Sequence, residues 1–154
     1  MTTIEPHGHW FPHYRENLGR LAAAVERKYP GRGFIDVGAN AGDNAAIVRA
    51  HSSLPILCIE GSELERGRLD SILAKHPRFQ ASKILKIDTL DGALEWIATA
   101  RPVLFWQHDI SRDAVANGPG MRIFEGLLEV GYRSALLFDH AGEFIQTVSL
   151  DARQ

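Results

Sequence analysis

Several features that would assign a chain to a specialised class are scarce or missing in this sequence. Cys58 is the only cysteine, so no disulfide can form within the chain and a disulfide-stapled secreted domain is excluded. No apolar run reaches the length of a membrane-spanning helix. The polar, histidine-rich segment 1–13 lacks the apolar stretch of a signal peptide. We therefore expect a cytoplasmic location and no membrane partner.

The chain also has no large excess of positive or negative charge. The net charge of −2 leaves no basic surface that would favour nucleic acid as a partner. His7, His9 and His13 have no cysteine near them, so a flexible tail is a better interpretation than a metal site, and we predict no metal. The 154 residues suit a single domain, with residues 1–13 as a flexible tail or lid.

Helical patterns alternate with short apolar runs along the rest of the chain. Apolar runs without polar alternation indicate strands buried on both faces, hence a mostly parallel sheet with helices on each side. The predicted helices cover about 14–29, 43–50, 64–75 and 94–98, with a further helix after residue 120. The predicted strands cover 34–37, 56–59, 84–87 and 103–106, followed by a C-terminal antiparallel hairpin at about 134–138 and 143–148.

The most informative segment is Phe34-Ile-Asp-Val-Gly-Ala-Asn-Ala-Gly-Asp43. It predicts a buried strand that turns sharply into a helix, with Gly38 and Gly42 where a ligand would lie against the backbone. Glu60 ends the next strand, where a carboxylate can accept hydrogen bonds from both hydroxyls of a ribose. Asp36 could face a cationic group such as an amino-acid ammonium. Together these features favour S-adenosylmethionine over a dinucleotide.

Each of these residues also has a purely structural interpretation. The two glycines could simply make a strand-to-helix turn, Asp36 could cap a helix, and Glu60 could be an exposed strand end. The spacing G-x-x-x-G disfavours a nicotinamide enzyme, which would use G-x-G-x-x-G. We expect Cys58, within an apolar run, to be a small core residue rather than a nucleophile.

The blocks of this chain resemble those of the FkbM-type methyltransferases from Gly33 onward. The similar blocks are residues 34–43, Ile56-Leu-Cys-Ile-Glu-Gly61, Leu85-Lys-Ile-Asp-Thr89, Pro102-Val-Leu-Phe-Trp106 and the closing segment from Gly131 to Phe144. The resemblance implies a Rossmann-like methyltransferase fold, a three-layer sandwich. It also implies S-adenosylmethionine as cofactor and methylation of a hydroxyl oxygen on a sugar or secondary metabolite.

The resemblance also implies roles for individual residues. Asp36, Gly38, Asn40 and Gly42 would line the methionine end of the cofactor, and Glu60 would hold the ribose. Asp88 would face the reaction side. Because a hydroxyl is a weak nucleophile, a base should lie within hydrogen-bonding reach of it. The candidates for that base are Asp88, His108 and Asp109, although a lone histidine such as His108 is more often a surface or packing residue.

The middle of the chain is shorter than the family pattern. Only 27 residues separate Glu60 from Asp88, which leaves room for one helix and one strand where the family has two of each. We therefore expect an edge strand to be lost and 56–59 to become the exposed edge, where two copies could pair as a homodimer. The same shortening motivates the alternative that the chain is a non-catalytic descendant acting as a binding or interaction module.

Overall fold

The computed structural model describes residues 12–39, 42–60, 62, 68–87, 92–106, 119–139 and 141–151, and these form an α/β fold. The helices are α1 (Pro12–Lys28), α2 (Asp43–His51), α3 (Leu69–Ala74), α4 (Leu94–Ala100) and α5 (Pro119–Glu129). The strands are β1 (Phe34–Val37), β2 (Ile56–Ile59), β3 (Ile84–Lys86), β4 (Val103–Phe105), β5 (Ser134–Phe138) and β6 (Phe144–Ser149). Within these ranges, no helix is both long and apolar enough to traverse a bilayer.

Four strands form one parallel sheet in the order β2-β1-β3-β4. Phe34 at the start of β1 is in register with Ile56 on one side and Ile84 on the other. The predicted α/β class with a parallel sheet is thus confirmed. Among the described strands β2 pairs only with β1, so it lies at an edge of the sheet. Homodimer formation through that edge stays a prediction.

The predicted C-terminal hairpin is confirmed, and it forms a separate two-stranded sheet. β5 and β6 pair antiparallel, with a register shift between Leu137 and Phe138. The turn of the hairpin is attached to α1, because the Asn17 side-chain amide donates a hydrogen bond to the Gly142 carbonyl at 2.6 Å. His13 Nε2 lies 3.1 Å from a carboxylate oxygen of Glu143. The N-terminal helix and the C-terminal hairpin are therefore joined by polar contacts.

Helices cover both faces of the parallel sheet. On one face Phe34 and Ile84 pack with α1 and α2, in a cluster that includes the buried Leu18 and Val48. The opposite face packs against α3, α4 and α5 in a second cluster. This second cluster is formed by the buried residues Ile35, Val37, Ile59, Leu69, Leu73, Leu85, Ile87, Ala93, Trp96, Ile97, Ala100, Leu127 and Leu150. The alternation of side chains along each strand explains why neighbouring residues join different clusters.

A tyrosine joins the end of α5 to the start of β4. The hydroxyl of Tyr132 donates a hydrogen bond of 2.5 Å to the Pro102 carbonyl. Partial burial raises the pKa of Tyr132 from its ordinary value of 10.0 to about 12, although the nearby Arg101 acts in the opposite direction. The neutral phenol is therefore the form that the folded chain favours.

We expect this tyrosine to make the folded state sensitive to alkaline pH. Since its folded pKa lies above the unfolded one, its contribution is complete below pH 10 and is lost as pH rises through 12. Two pKa units correspond to about 2.7 kcal/mol, and partial solvent exposure should reduce the effect to about 1 kcal/mol. Urea unfolding at pH 9 and 11.5 measures it, with Tyr132→Phe as the insensitive variant. The matched control is Tyr29→Phe, at an exposed tyrosine. An identical alkaline loss in wild type and Tyr132→Phe would contradict the prediction.

Candidate functional site

The predicted strand-to-helix turn is present after β1 and depends on left-handed glycines. Gly38 has a φ of 76° and Gly42 a φ of 80°, a region that residues with a Cβ rarely adopt. Gly42 immediately precedes α2, and its backbone N–H donates to the Ala39 carbonyl at 2.8 Å. No described atom lies within 4 Å of the position that a Cβ on Gly42 would occupy. Within the part of the chain that the structure describes, the backbone at Gly42 is therefore open to close approach by another molecule.

Glu60 lies beside this turn because the turn is hydrogen-bonded to the end of β2. The Gly38 N–H donates to the Ile59 carbonyl at 2.8 Å, and the Ala39 N–H lies 3.5 Å from the same oxygen. Glu60 directly follows Ile59 and is exposed. An exposed acidic residue thus lies next to the glycine turn, at the carboxyl edge of the sheet.

A series of hydrogen bonds between polar side chains connects β1 to α1 and α2, close to the turn. Asp36 is fully buried, and one of its carboxylate oxygens accepts a hydrogen bond from the Asn44 side-chain amide at 3.4 Å. The Asn44 carbonyl oxygen accepts another from the Tyr14 hydroxyl at 3.1 Å. The ring of Tyr14 also packs edge-on against Phe105 of β4 at 5.0 Å between centroids. The carboxylate is therefore held from α2, whose own position is tied to α1.

A buried lysine lies on the same face of the sheet as Asp36. Lys86, on β3, is in register with Asp36 and only 7% exposed. Register partners on adjacent strands direct their side chains to the same face, here the face covered by α1 and α2. The Lys86 ammonium donates to the Val37 carbonyl at 3.4 Å. Buried ionisable groups are costly unless paired, so this placement marks the β1–β3 junction as unusual within the sheet.

This junction is where the chain reverses its direction of winding. β2 lies on one side of β1 and the next strand, β3, on the other. The connecting helix α2 packs on one face, whereas α3 packs on the opposite face. In open α/β sheets such a reversal leaves a crevice at the carboxyl ends of the two strands, which is the usual place for a ligand. Gly38 follows the end of β1 and therefore lies at this crevice.

Cys58 differs from its expected place in the core. It is exposed, and its strand β2 lies at an edge of the sheet among the described strands. Burial of part of the side chain raises the pKa of the Cys58 thiol, and the negative charge of Asp36 raises it further. The thiol therefore favours its protonated, weakly nucleophilic form.

The structure places four of the eight predicted site residues. Asp36, Gly38, Gly42 and Glu60 lie at or next to the carboxyl edge of β1 and β2. Asn40, Asp88, His108 and Asp109 lie outside the described residues, as does the predicted tail up to residue 11. Sequence reasoning missed Tyr14, Asn44 and Lys86. A lysine within the apolar run 84–87 was the available signal, since a charge inside a buried strand needs a partner.

A second candidate site on the described surface lies away from the glycine turn. An open depression between the first two helices is lined by Arg15, Glu16, Ala46, Ile47, Ala50 and His51. It includes neither the glycine turn nor Glu60. The described residues contain no cluster of three or more histidine, cysteine or acidic side chains that could hold a metal ion.

Comparisons with models of protein families, with curated proteins and with solved structures found no match to this chain. The features that bear on function are therefore the glycine turn, Glu60 and the hydrogen-bonded side chains of Asp36, Asn44 and Tyr14.

Proposed function

We propose that this chain is an S-adenosylmethionine-dependent methyltransferase with a Rossmann-like, three-layer fold. The observation that carries the proposal is the 2.8 Å hydrogen bond from the Gly38 N–H to the Ile59 carbonyl. It joins a left-handed glycine turn to the strand end that bears Glu60, at the point where the sheet reverses its winding. A turn open to close approach and a neighbouring carboxylate suit a ligand with an amino-acid portion and a ribose.

The proposed substrate is the hydroxyl group of a sugar or secondary metabolite. S-adenosylmethionine, when bound, would supply a sulfonium methyl group, whose bond to sulfur would break as the new carbon–oxygen bond forms, leaving a thioether. The chain has to align the acceptor oxygen with the departing sulfur and remove the hydroxyl proton. Asp88, His108 and Asp109 are the proposed candidates for the group that accepts this proton. Glu60 would hold the ribose and take no part in the transfer itself.

Replacing Glu60 with alanine should weaken the binding of S-adenosylhomocysteine. A carboxylate that accepts hydrogen bonds from both ribose hydroxyls is worth about 1.5–3 kcal/mol, so we expect a loss of roughly 10- to 100-fold in affinity. Isothermal titration calorimetry on wild type and Glu60→Ala measures the two dissociation constants. NAD serves as a second ligand, for which we expect no binding.

The matched control for this titration is Glu129→Ala, which removes an exposed carboxylate from α5. It should leave the affinity unchanged, since α5 packs on the face of the sheet opposite α2. Absence of binding to wild type at millimolar S-adenosylhomocysteine would refute the proposed cofactor. Equal affinities of wild type and Glu60→Ala would refute the ribose contact alone.

The alternative is a non-catalytic descendant of the same fold that acts as a binding or interaction module. The position of Lys86 favours it, because Lys86 supplies a cation on the face of the sheet where Asp36 was expected to meet a ligand's ammonium. The exposed edge strand β2 is consistent with a role in association. A folded wild-type protein that binds no S-adenosylhomocysteine in the titration above would favour this alternative.

A further inference from the structure

We propose that Lys86 is a positioning residue that fixes the glycine turn from behind and does not contact the ligand. Lys86 lies beneath the crevice between β1 and β3, and it is the only charged residue within the described strands β2, β3 and β4. Its ammonium reaches the carbonyl of Val37, the last residue of β1 and the neighbour of Gly38. This contact therefore links β3 to β1 across the crevice.

The backbone hydrogen bonds next to Val37 explain why a contact from the Lys86 side chain would stabilise the turn. The turn leaves the sheet directly after Val37, and the next backbone bonds are those of Gly38 and Ala39 to a single acceptor, the Ile59 carbonyl. All of these bonds hold the turn to β2. Lys86 connects the same backbone to β3, so the start of the turn is held from both neighbouring strands.

The surroundings of Lys86 indicate that it acts through this backbone and not on a bound molecule. It is 7% exposed, and Asp36, its register partner, is fully buried. Asp36 is held in turn by Asn44, the second residue of α2. The bond from Lys86 to Val37 thus connects β3 to β1, and the bond from Asn44 to Asp36 connects the start of α2 to β1; these three elements bound the glycine turn.

The first test concerns the protein without ligand and is independent of the proposed function. Lys86→Met should make the Gly38 and Gly42 amides exchange with solvent at least tenfold faster, measured by NMR-detected hydrogen exchange. The Phe34 amide, which donates to Pro55 at the other end of β1, should keep its rate. If Lys86→Met does not fold, Lys86→Gln carries the same expectation, because its shorter side chain does not span the distance to the Val37 carbonyl.

The matched control is Lys83→Met. The Lys83 ammonium also donates to a backbone carbonyl, that of Ala100, but Lys83 precedes β3 and so lies at the opposite end of the strand. Its replacement should leave exchange at Gly38 and Gly42 unchanged. Unchanged exchange at the two glycines in the Lys86 variants, or equal acceleration at Gly38 and Phe34, would overturn the positioning role.

The second test extends the inference to ligand binding and rests on the proposed function. Because the glycine turn would line the methionine end of the cofactor, Lys86→Met should weaken S-adenosylhomocysteine about five- to tenfold and should weaken 5′-methylthioadenosine, which lacks the amino-acid portion, by a smaller factor. Equal affinities of wild type and Lys86→Met for S-adenosylhomocysteine would overturn the extension to ligand binding. Lack of binding by wild type would instead count against the proposed cofactor, and the exchange measurement would still decide the role of Lys86.

Discussion

Gly42→Ala should lower the affinity for S-adenosylhomocysteine at least tenfold. The space around the Gly42 Cα is open among the described atoms, and it lies at the start of α2, where a ligand would meet the backbone. A methyl group there would occupy the space that the ligand needs. The φ of 80° also disfavours a residue with a Cβ, at a cost of about 1–2 kcal/mol in folding stability. Calorimetry measures the affinity and urea unfolding the stability.

Gly31→Ala is the control that separates these two effects. Gly31 has a φ of 74° and also has no described atom within 4 Å of its absent Cβ, but it follows α1 at the opposite end of β1. Both variants should therefore lose a similar amount of stability, while only Gly42→Ala loses ligand affinity. Equal affinities of the two variants would show that the glycine turn is not a ligand contact.

The positions of strands were predictable because they depend on local patterns. The runs at 34–37, 56–59 and 134–138 have the predicted bounds, since each is an apolar or β-branched segment that ends at a turn residue or a polar side chain. The left-handed turn at Gly38 and Gly42 was also predictable, because glycine is the residue type that adopts a positive φ without strain. These features require no knowledge of distant contacts.

The side-chain environment of the site depends on contacts between residues far apart in the sequence, so local patterns did not predict it. Asp36 was a candidate to face a ligand's cation, yet its neighbours include Asn44, eight residues away, and the register partner Lys86, fifty residues away. Tyr14 joins the set only because α1 packs beside α2. Cys58 was assigned to the core from an apolar run, and the run alone does not reveal that β2 has no outer neighbour among the described strands.

The buried charges also constrain how the site can work. Asp36 is fully buried and Lys86 is nearly buried, in register on adjacent strands, so neither side chain is readily reached by a ligand from solvent. Glu60, by contrast, is exposed and lies next to the glycine turn at the carboxyl edge of the sheet. The proposed recognition of ribose hydroxyls by Glu60 and the proposed support of the turn by Lys86 are therefore separable, and the Glu60 and Lys86 variants test them independently.

The largest loss of stability is expected for Phe34→Ala. Phe34 is fully buried between the parallel sheet and the first two helices, where it packs in one cluster with Leu18, Val48 and Ile84. Removing a buried phenylalanine ring leaves a cavity and costs about 3–5 kcal/mol, a large part of the 5–15 kcal/mol that stabilises a typical domain. Urea unfolding followed by circular dichroism measures the loss.

Phe144→Ala provides the control at a second phenylalanine in a strand. Phe144 is 56% exposed on the hairpin and contacts Phe138 edge-on, with 5.8 Å between ring centroids. Its replacement should cost less than about 1 kcal/mol, because little buried area is lost and no enclosed cavity forms. If Phe34→Ala proves too unstable to purify, Phe34→Leu should fold with a smaller loss, since it fills most of the same space. Similar losses for Phe34→Ala and Phe144→Ala would mean that α1 and α2 do not enclose β1 as described, and the placement of Tyr14 and Asn44 behind the glycine turn would fail with it.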